Sequence, residues 1–203
     1  MAHAELIIVR HGQSEWNALN KFTGWVDVDL APKGIAEAKE AGEKLKSYTF
    51  DKGFTSGLIR AQKTLTGILE VTGQTNLEVI KNQALNERMY GDLQGKDKDE
   101  ARKEFGEEQV HIWRRSFDTP PPGGESLKGT ADRVLPYYTE VIEPELKDGK
   151  TIIIAAHGNS LRALIMYLEK LSREEILKTE VPTGKPRLYT FDAELNVLTS
   201  DYI

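Results

Sequence analysis

Two short stretches of this 203-residue chain carry residues that could do chemistry together. In "IIVRHGQSEWN" (Ile7–Asn17) a run of apolar β-formers delivers Arg10 and His11, followed by Gly12. In "TIIIAAHGNS" (Thr151–Ser160) a second apolar run delivers His157 and Gly158. The chain has four histidines, and two of them occupy matching settings. A histidine just past a strand can be an ordinary hydrogen-bonded residue, but the neighbours of His11 argue for more. Arg10 is a permanently charged fork of donors matched to phosphate or carboxylate. Gly12 lets backbone come close to a ligand. A helix opening near Ser14 would aim free N–H groups at the same point. An imidazole titrating near 6.5 is largely neutral at pH 7, and its free nitrogen is a competent nucleophile. His11 is therefore a candidate phosphoryl acceptor, and His157 a candidate second donor to the travelling oxygens. The runner-up for two histidines, a metal site, is disfavoured because neither a carboxylate nor a third histidine stands nearby at ligand spacing.

Other cations fall near predicted strand ends. Arg60 opens a helix after "FTSGLI", at the same rim as His11. Arg114 and Arg115 in "IWRRSF" would point about 100° apart on a helix, so at least one could reach an anion lying over those ends. "LNERMYGDLQG" places Glu87, Arg88 and Tyr90 in a loop, where a carboxylate could exchange a proton with a hydroxyl.

The elements that must position these groups alternate in type. "ELIIV", "DKGFTS", "NLEVIK" and "TIIIAA" read as strands. Helices are predicted from Pro32 to about Lys46, over "GLIRAQKTLTGILEVTG", from about Leu127 to Leu146, and over "SLRALIMYLEKL". Residues 84–126 are less regular, with two short helical pieces and the loop "DTPPPGGE". Ser172 and Glu175 form a capping box for one more short helix. "RLYTFD" and "NVLTSDY" suggest a terminal hairpin. This order predicts an α/β fold of three layers, with a mostly parallel central sheet flanked by helices on both faces and residues 1–203 forming one domain. Ligands of such sheets bind outside the carboxyl ends of the strands, where both His-Gly pairs fall.

Composition limits the partners. A net charge of −5 argues against nucleic acid, so cations that hold a polyanion must be gathered locally. No apolar run approaches the ~20 residues of a membrane span, and the N-terminus lacks the pattern of a secretory signal. Without cysteine there is neither a disulfide framework nor a thiolate site, and a cytoplasmic protein is expected.

Together these residues resemble the histidine phosphatase superfamily, whose signature is Arg-His-Gly after the first strand. Within it the likeness is closest to the 2,3-bisphosphoglycerate-dependent phosphoglycerate mutase family. "LIIVRHGQSEWN", "KFTGWVDVDLAPKG", "TSGLIRAQKTL", "LNERMYGDLQG", "EEQVHIWRRSFDTPPP" and "IIIAAHGNSLRALIMYLE" carry it, spread over nearly the whole chain in the family's order. The resemblance implies interconversion of 3- and 2-phosphoglycerate in glycolysis and gluconeogenesis. His11 would be phosphorylated by 2,3-bisphosphoglycerate, the implied cofactor, with no metal. It further implies Glu87 as proton donor and acceptor, and His157, Arg10 and Arg60 on the phosphoryl group. Ser14, Asn17, Thr23, Gly24, Gly158 and Asn159 would line the phosphate region. Tyr90, Lys98, Arg114 and Arg115 would hold the substrate's carboxylate and distal phosphate, with Arg88 and Met89 among the substrate-binding residues. The partners implied are small phosphoglycerates, not nucleic acid or membrane.

Two departures from longer family members carry expectations of their own. "DTPPPGG" is a short version of a segment near the family's oligomer contacts, which leaves open whether this chain forms a homo-oligomer. The chain ends without the tail that helps close the site in those members, so more phosphate should leak to water. Two alternatives remain: a histidine phosphatase of small phosphoesters on the same fold, and a non-catalytic anion-binding module. The first would share His11 and its cations; the second should lack a nucleophile or a proton carrier.

Overall fold

The computed structural model describes residues 2–203. In chain order the first half contains β1 (Ala4–Arg10), α1 (Glu15–Ala18), α2 (Pro32–Lys44), β2 (Lys52–Thr55), α3 (Ile59–Thr72) and β3 (Val79–Lys81). The middle holds α4 (Lys98–Phe105), α5 (Glu107–Arg115), α6 (Leu127–Tyr137) and α7 (Glu143–Lys147). The last third contains β4 (Thr151–Ala156), α8 (Gly158–Glu169), α9 (Arg173–Lys178), β5 (Arg187–Phe191) and β6 (Val197–Tyr202).

Strand β1 shows why helices cover both faces of the sheet. Side chains alternate along a strand, and here both sets are apolar. Leu6 and Ile8 enter a core with Val134, Tyr138 and Leu164 of the α6–α8 side. Ile7 and Val9 enter a second core with Ala41, Leu45, Leu65 and Ile68 of the α2–α3 side. β4 repeats the division, with Ile152 and Ile154 on one face and Ile153 and Ala155 on the other. Truncating Ile154 to alanine in so close-packed a position would cost about 2–5 kcal/mol. The six strands run in the order β3-β2-β4-β1-β5-β6. The first four are mutually parallel, and β5 and β6 form an antiparallel hairpin at one edge. This is the expected mostly parallel sheet between two helical layers.

Three elements differ in detail from expectation. The helix predicted from Leu127 to Leu146 is interrupted by a π-helical turn at Tyr138–Ile142 before it restarts as α7. Pro136, inside α6, has no N–H to give the preceding turn, and Pro144 stands where a restarted helix needs none. "NLEVIK" supplies only the three-residue edge strand β3, because the Leu77 N–H closes a turn on Gln74. The helix expected near Ser14 is the single turn α1, so its dipole is slight.

A third, smaller apolar cluster lies away from the sheet. Phe22, Leu93, Ala101 and Val110, with Tyr90 and Trp113, join α4 and α5 to the loops beside them. Among the described residues it is the only such cluster in which no sheet residue takes part, and it underlies half of the candidate site.

Candidate active site

The register of the sheet brings the two histidines together. Arg10 at the end of β1 pairs with Ala156 at the end of β4, so the next residues, His11 and His157, become neighbours. Their ring centroids lie 5.1 Å apart at an interplanar angle of 60°. The His11 Nδ1 lies 2.6 Å from the carbonyl of Gly12. A carbonyl can only accept, so Nδ1 carries the hydrogen and Nε2 keeps its lone pair. For His157 the partner is the Ser56 hydroxyl, 2.7 Å from Nε2. Ser56 Oγ already accepts from the Leu58 N–H, which directs its own hydrogen to His157 Nε2. The His157 proton then sits on Nδ1, a buried atom with no partner. Burial, followed by the charges of Arg60 and Arg10, holds His11 well below the usual imidazole value. His157 is lowered in the same direction, chiefly by burial, then by Arg60, His11 and Arg10. Both rings are neutral at pH 7.

A cavity of about 270 Å³ opens over His11. Arg10 and Arg60 line it from the strand-end side. The Arg60 guanidinium is buried and fixed by the carbonyls of Val26 (3.0 Å) and Gly24 (2.7 Å). That burial, only partly countered by Glu87 and Asp27, lowers its pKa to about 10. Arg10 donates to the Val181 carbonyl at 2.9 Å and leaves its buried Nε without a partner. Thr23 Oγ1 is also buried and unpaired, and Gly24 beside it has φ +57, a conformation that favours glycine. Asn17 closes α1 in a reciprocal cap with Ser14: its Oδ1 accepts the Ser14 N–H at 3.0 Å. The amide oxygen being committed, its NH₂ remains as a donor for the cavity.

The opposite wall comes from the middle of the chain. Glu87, Tyr90, Lys98, Arg114 and Arg115 line it, and Gly158 and Asn159 enter from the N-terminus of α8. Glu87 Oε1 accepts backbone N–H groups from Arg88 (2.8 Å) and Asn159 (3.1 Å), leaving Oε2 without those partners. Burial and then the neighbouring Arg114 and Arg10 push Lys98 down to about 8. Arg114 is lowered too, chiefly by burial. Cations that depress one another in a half-buried space form a pocket that favours an anion. Sequence reasoning missed several wall residues: Lys21, Arg162, Glu180 and Val181. Arg162 stands one helical turn after Asn159 and donates to its Oδ1 at 3.1 Å, so the period of α8 was the available signal.

Four expectations are corrected by placement. Ser14 is fully buried and caps α1 instead of lining the cavity. Arg88 is likewise buried, and its guanidinium donates to the carbonyls of Glu125, Trp113 and Arg114, because the last carbonyls of α5 lack intrahelical donors. Met89 meets Glu125 through its backbone and does not line the cavity. Gly12 allows a close approach to Gly34 rather than to a ligand; a Cβ there would lie 2.2 Å from the Gly34 carbonyl oxygen. His157 stands against the ring of His11, as its place at the end of β4 requires.

Such a constellation can accept a phosphoryl group on nitrogen, neutralise its oxygens, and move a proton at a neighbouring hydroxyl. Known proteins agree with that chemistry. The 2,3-bisphosphoglycerate-dependent phosphoglycerate mutase of Mesorhizobium japonicum is 58% identical over 98% of this chain and 97% of its own. The phosphoglycerate mutase of Schizosaccharomyces pombe is also 58% identical, over 98% and 95% respectively. Among solved structures, a mycobacterial hydrolase superposes with a TM-score of 0.84 at 25% identity, covering 97% of this chain and 96% of that one. A mycobacterial glucosyl-3-phosphoglycerate phosphatase in complex with vanadate reaches 0.83 at 24%, covering 98% and 96%, which shows a shared fold. Residues 6–200 match the model of the histidine phosphatase superfamily (branch 1), and the chain belongs to that superfamily.

Proposed function

We propose that this protein interconverts 3-phosphoglycerate and 2-phosphoglycerate as a 2,3-bisphosphoglycerate-dependent mutase. The observation that carries the reading is the single cavity shared by His11, two strand-end arginines, Glu87 and a second cluster of cations. The relatives near 58% identity bear the same activity in their names. The donor set suits 2,3-bisphosphoglycerate, which has two phosphates and one carboxylate: unpaired buried atoms on Arg10 and Thr23 stand at one wall, and Lys98, Arg114 and Arg115 at the other.

His11 Nε2 attacks the phosphorus of a phosphomonoester, forming the P–N bond as the P–O bond to the departing alkoxide breaks. Glu87 gives the alkoxide its proton. Arg10, Arg60 and the unpaired Nδ1–H of His157 balance the charge on the three phosphoryl oxygens. In the return step Glu87 takes the proton of the other hydroxyl, that oxygen attacks phosphorus, and the bond to His11 breaks. Lys98, Arg114, Arg115 and Tyr90 hold the carboxylate and remote phosphate while the intermediate turns over. The substrates are small phosphoglycerates, and a role in glycolysis and gluconeogenesis would place the protein in the cytoplasm.

The test incubates the protein with 2,3-bisphosphoglycerate labelled in phosphorus and chases with 3-phosphoglycerate. Acid-labile label on the protein, passing into 2-phosphoglycerate, is expected. Label appearing only as inorganic phosphate would replace the mutase reading with a phosphatase, and no protein label at all would overturn both.

A further inference from the structure

Glu87 projects from a loop, and a loop carboxylate is a poor proton carrier unless something fixes it. The structure supplies a support outside the cavity. The Arg133 side chain, on α6, reaches under the segment 83–87 and hydrogen-bonds the carbonyls of Ala84 (2.9 Å), Asn86 (3.0 Å) and Glu87 itself (2.8 Å), with a longer bond to Gln83 (3.4 Å). Its remaining donors form a fork with the Glu125 carboxylate, Nε to Oε1 at 2.8 Å and the second arm to Oε2 at 2.9 Å. Glu125 grips the other end of the same loop: its Oε2 accepts the Met89 N–H at 3.1 Å, and its own N–H donates to the Met89 carbonyl at 2.7 Å. Trp25 lies over the guanidinium at 5.3 Å and donates its indole N–H to the Glu87 carbonyl at 2.6 Å.

We infer that Arg133 and Glu125 are positioning residues for proton transfer, a clamp that holds the backbone of Glu87 so that its carboxylate meets the substrate hydroxyl. The inference rests on the proposed role of Glu87 and deepens it. The clamp binds main chain on both sides of Glu87 and none of its residues lines the cavity, so it holds the carboxylate in place without touching the anion. Lysine could keep the charge of Arg133 but not the planar fork that satisfies a carboxylate and three carbonyls at once.

The experiment separates proton transfer from general damage by the leaving group. Transfer to His11 from 2,3-bisphosphoglycerate expels an alkoxide that needs a proton. Transfer from 4-nitrophenyl phosphate expels a phenolate that leaves as the anion. Rapid-mixing measurements of His11 phosphorylation from each donor are made on the wild type, Glu87→Gln, Arg133→Gln, Arg133→Lys, Glu125→Gln and the Glu87→Gln/Arg133→Gln double variant. Arg133→Gln should slow transfer from bisphosphoglycerate by about 30- to 100-fold. Its burst of nitrophenolate should stay within about threefold, which also reports a folded site. Arg133→Lys and Glu125→Gln should show the same selectivity in smaller measure, and the double variant should be no slower than Glu87→Gln alone. Equal losses on both donors, or losses that multiply in the double variant, would overturn the clamp while leaving Glu87 in place. A Glu87→Gln variant with no preference between donors would instead remove the proton-transfer role and the clamp with it.

Discussion

The two walls of the cavity are built by different means. His11, Arg10 and His157 hang on the carboxyl ends of adjacent parallel strands, with Arg60 in the first turn of the helix that follows β2. Their positions are set by backbone pairing and by two large cores. Lys98, Arg114, Arg115 and Tyr90 sit instead on short helices and loops over the small cluster of Phe22, Leu93, Ala101 and Val110. That wall is tied down by side chains, above all Arg88 on the last carbonyls of α5 and Arg133 under the Glu87 loop. A strand-end frame fixes what every reaction of a phosphohistidine requires, whereas side-chain ties can be altered without disturbing the sheet. Solved phosphatases and hydrolases share the fold near 25% identity, and the mutases share more than half of the sequence.

The contrast is broken most forcefully at the strand-end wall. His11→Ala should abolish labelling and lower turnover by roughly 10⁶-fold, the scale on which removal of a nucleophile acts. Arg60→Gln should reduce kcat by about 10²–10³, since its guanidinium is buried and already oriented by two carbonyls. Neither change should open a new fate for the phosphoryl group. If Arg60→Gln raised KM alone, the arginine would be a ground-state anchor and the division of labour would fail.

At the other wall the loss should fall on a different quantity. Arg115 ends α5 and faces Glu180 at 3.5 Å, an ion pair open to solvent, so it is free to exchange that carboxylate for a substrate's. Arg114→Gln and Arg115→Gln should each raise KM for phosphoglycerate by about 10- to 100-fold, with a smaller effect on kcat. Both should increase the share of label released as inorganic phosphate, because an intermediate held less firmly is lost before it is presented again. Partition of the label between 2-phosphoglycerate and inorganic phosphate checks this. An unchanged partition would separate binding from fidelity at this wall.

The unequal construction also explains how far the sequence could be read. Apolar runs ending in Arg-His-Gly and His-Gly identify strand ends, and parallel strands must carry their ligands there, so His11, Arg10, His157 and Arg60 could be placed at one rim before any coordinates. The second wall has no such rule. Nothing in the spacing of "NERMYG" shows that Arg88 turns inward to satisfy helix carbonyls while Tyr90 faces the cavity. Likewise Glu125 and Arg133, eight residues apart, become partners only after the loop "DTPPPGG" and α6 set their geometry. Proline was the signal for the broken helix: Pro136 and Pro144 both lie inside the stretch read as one helix from about Leu127 to Leu146.

A pH dependence sharpens the comparison with a smaller effect. Burial and neighbouring cations lower Lys98 to about 8, and it aids anion binding only while protonated. KM for phosphoglycerate should therefore rise above about pH 8, where the free pocket loses this charge, and Lys98→Met should flatten the rise while showing a raised KM at pH 7. Arg60 holds its charge to about pH 10, so the strand-end wall has no matching transition in that range. A rise that persisted in Lys98→Met would assign the transition to another group.

The smallest effect concerns stability. His11 and His157 are buried and held well below the value near 6.5 at which imidazoles of the unfolded chain titrate. Below about pH 6.5 the unfolded chain takes up protons that the folded site refuses, so stability should fall as pH drops through that value and be unaffected by these groups above it. The limiting slope is about 1.4 kcal/mol per pH unit for each histidine that stays neutral in the folded state. His11→Asn should remove about half of this acid sensitivity in urea-unfolding midpoints taken between pH 5 and 7. Inorganic phosphate should flatten the slope in the wild type, because an anion beside the two rings favours their charged form. A wild-type slope that neither the substitution nor phosphate reduces would mean that the acid sensitivity arises at carboxylates elsewhere. The strand-end wall would then carry no stored cost for keeping its two imidazoles neutral.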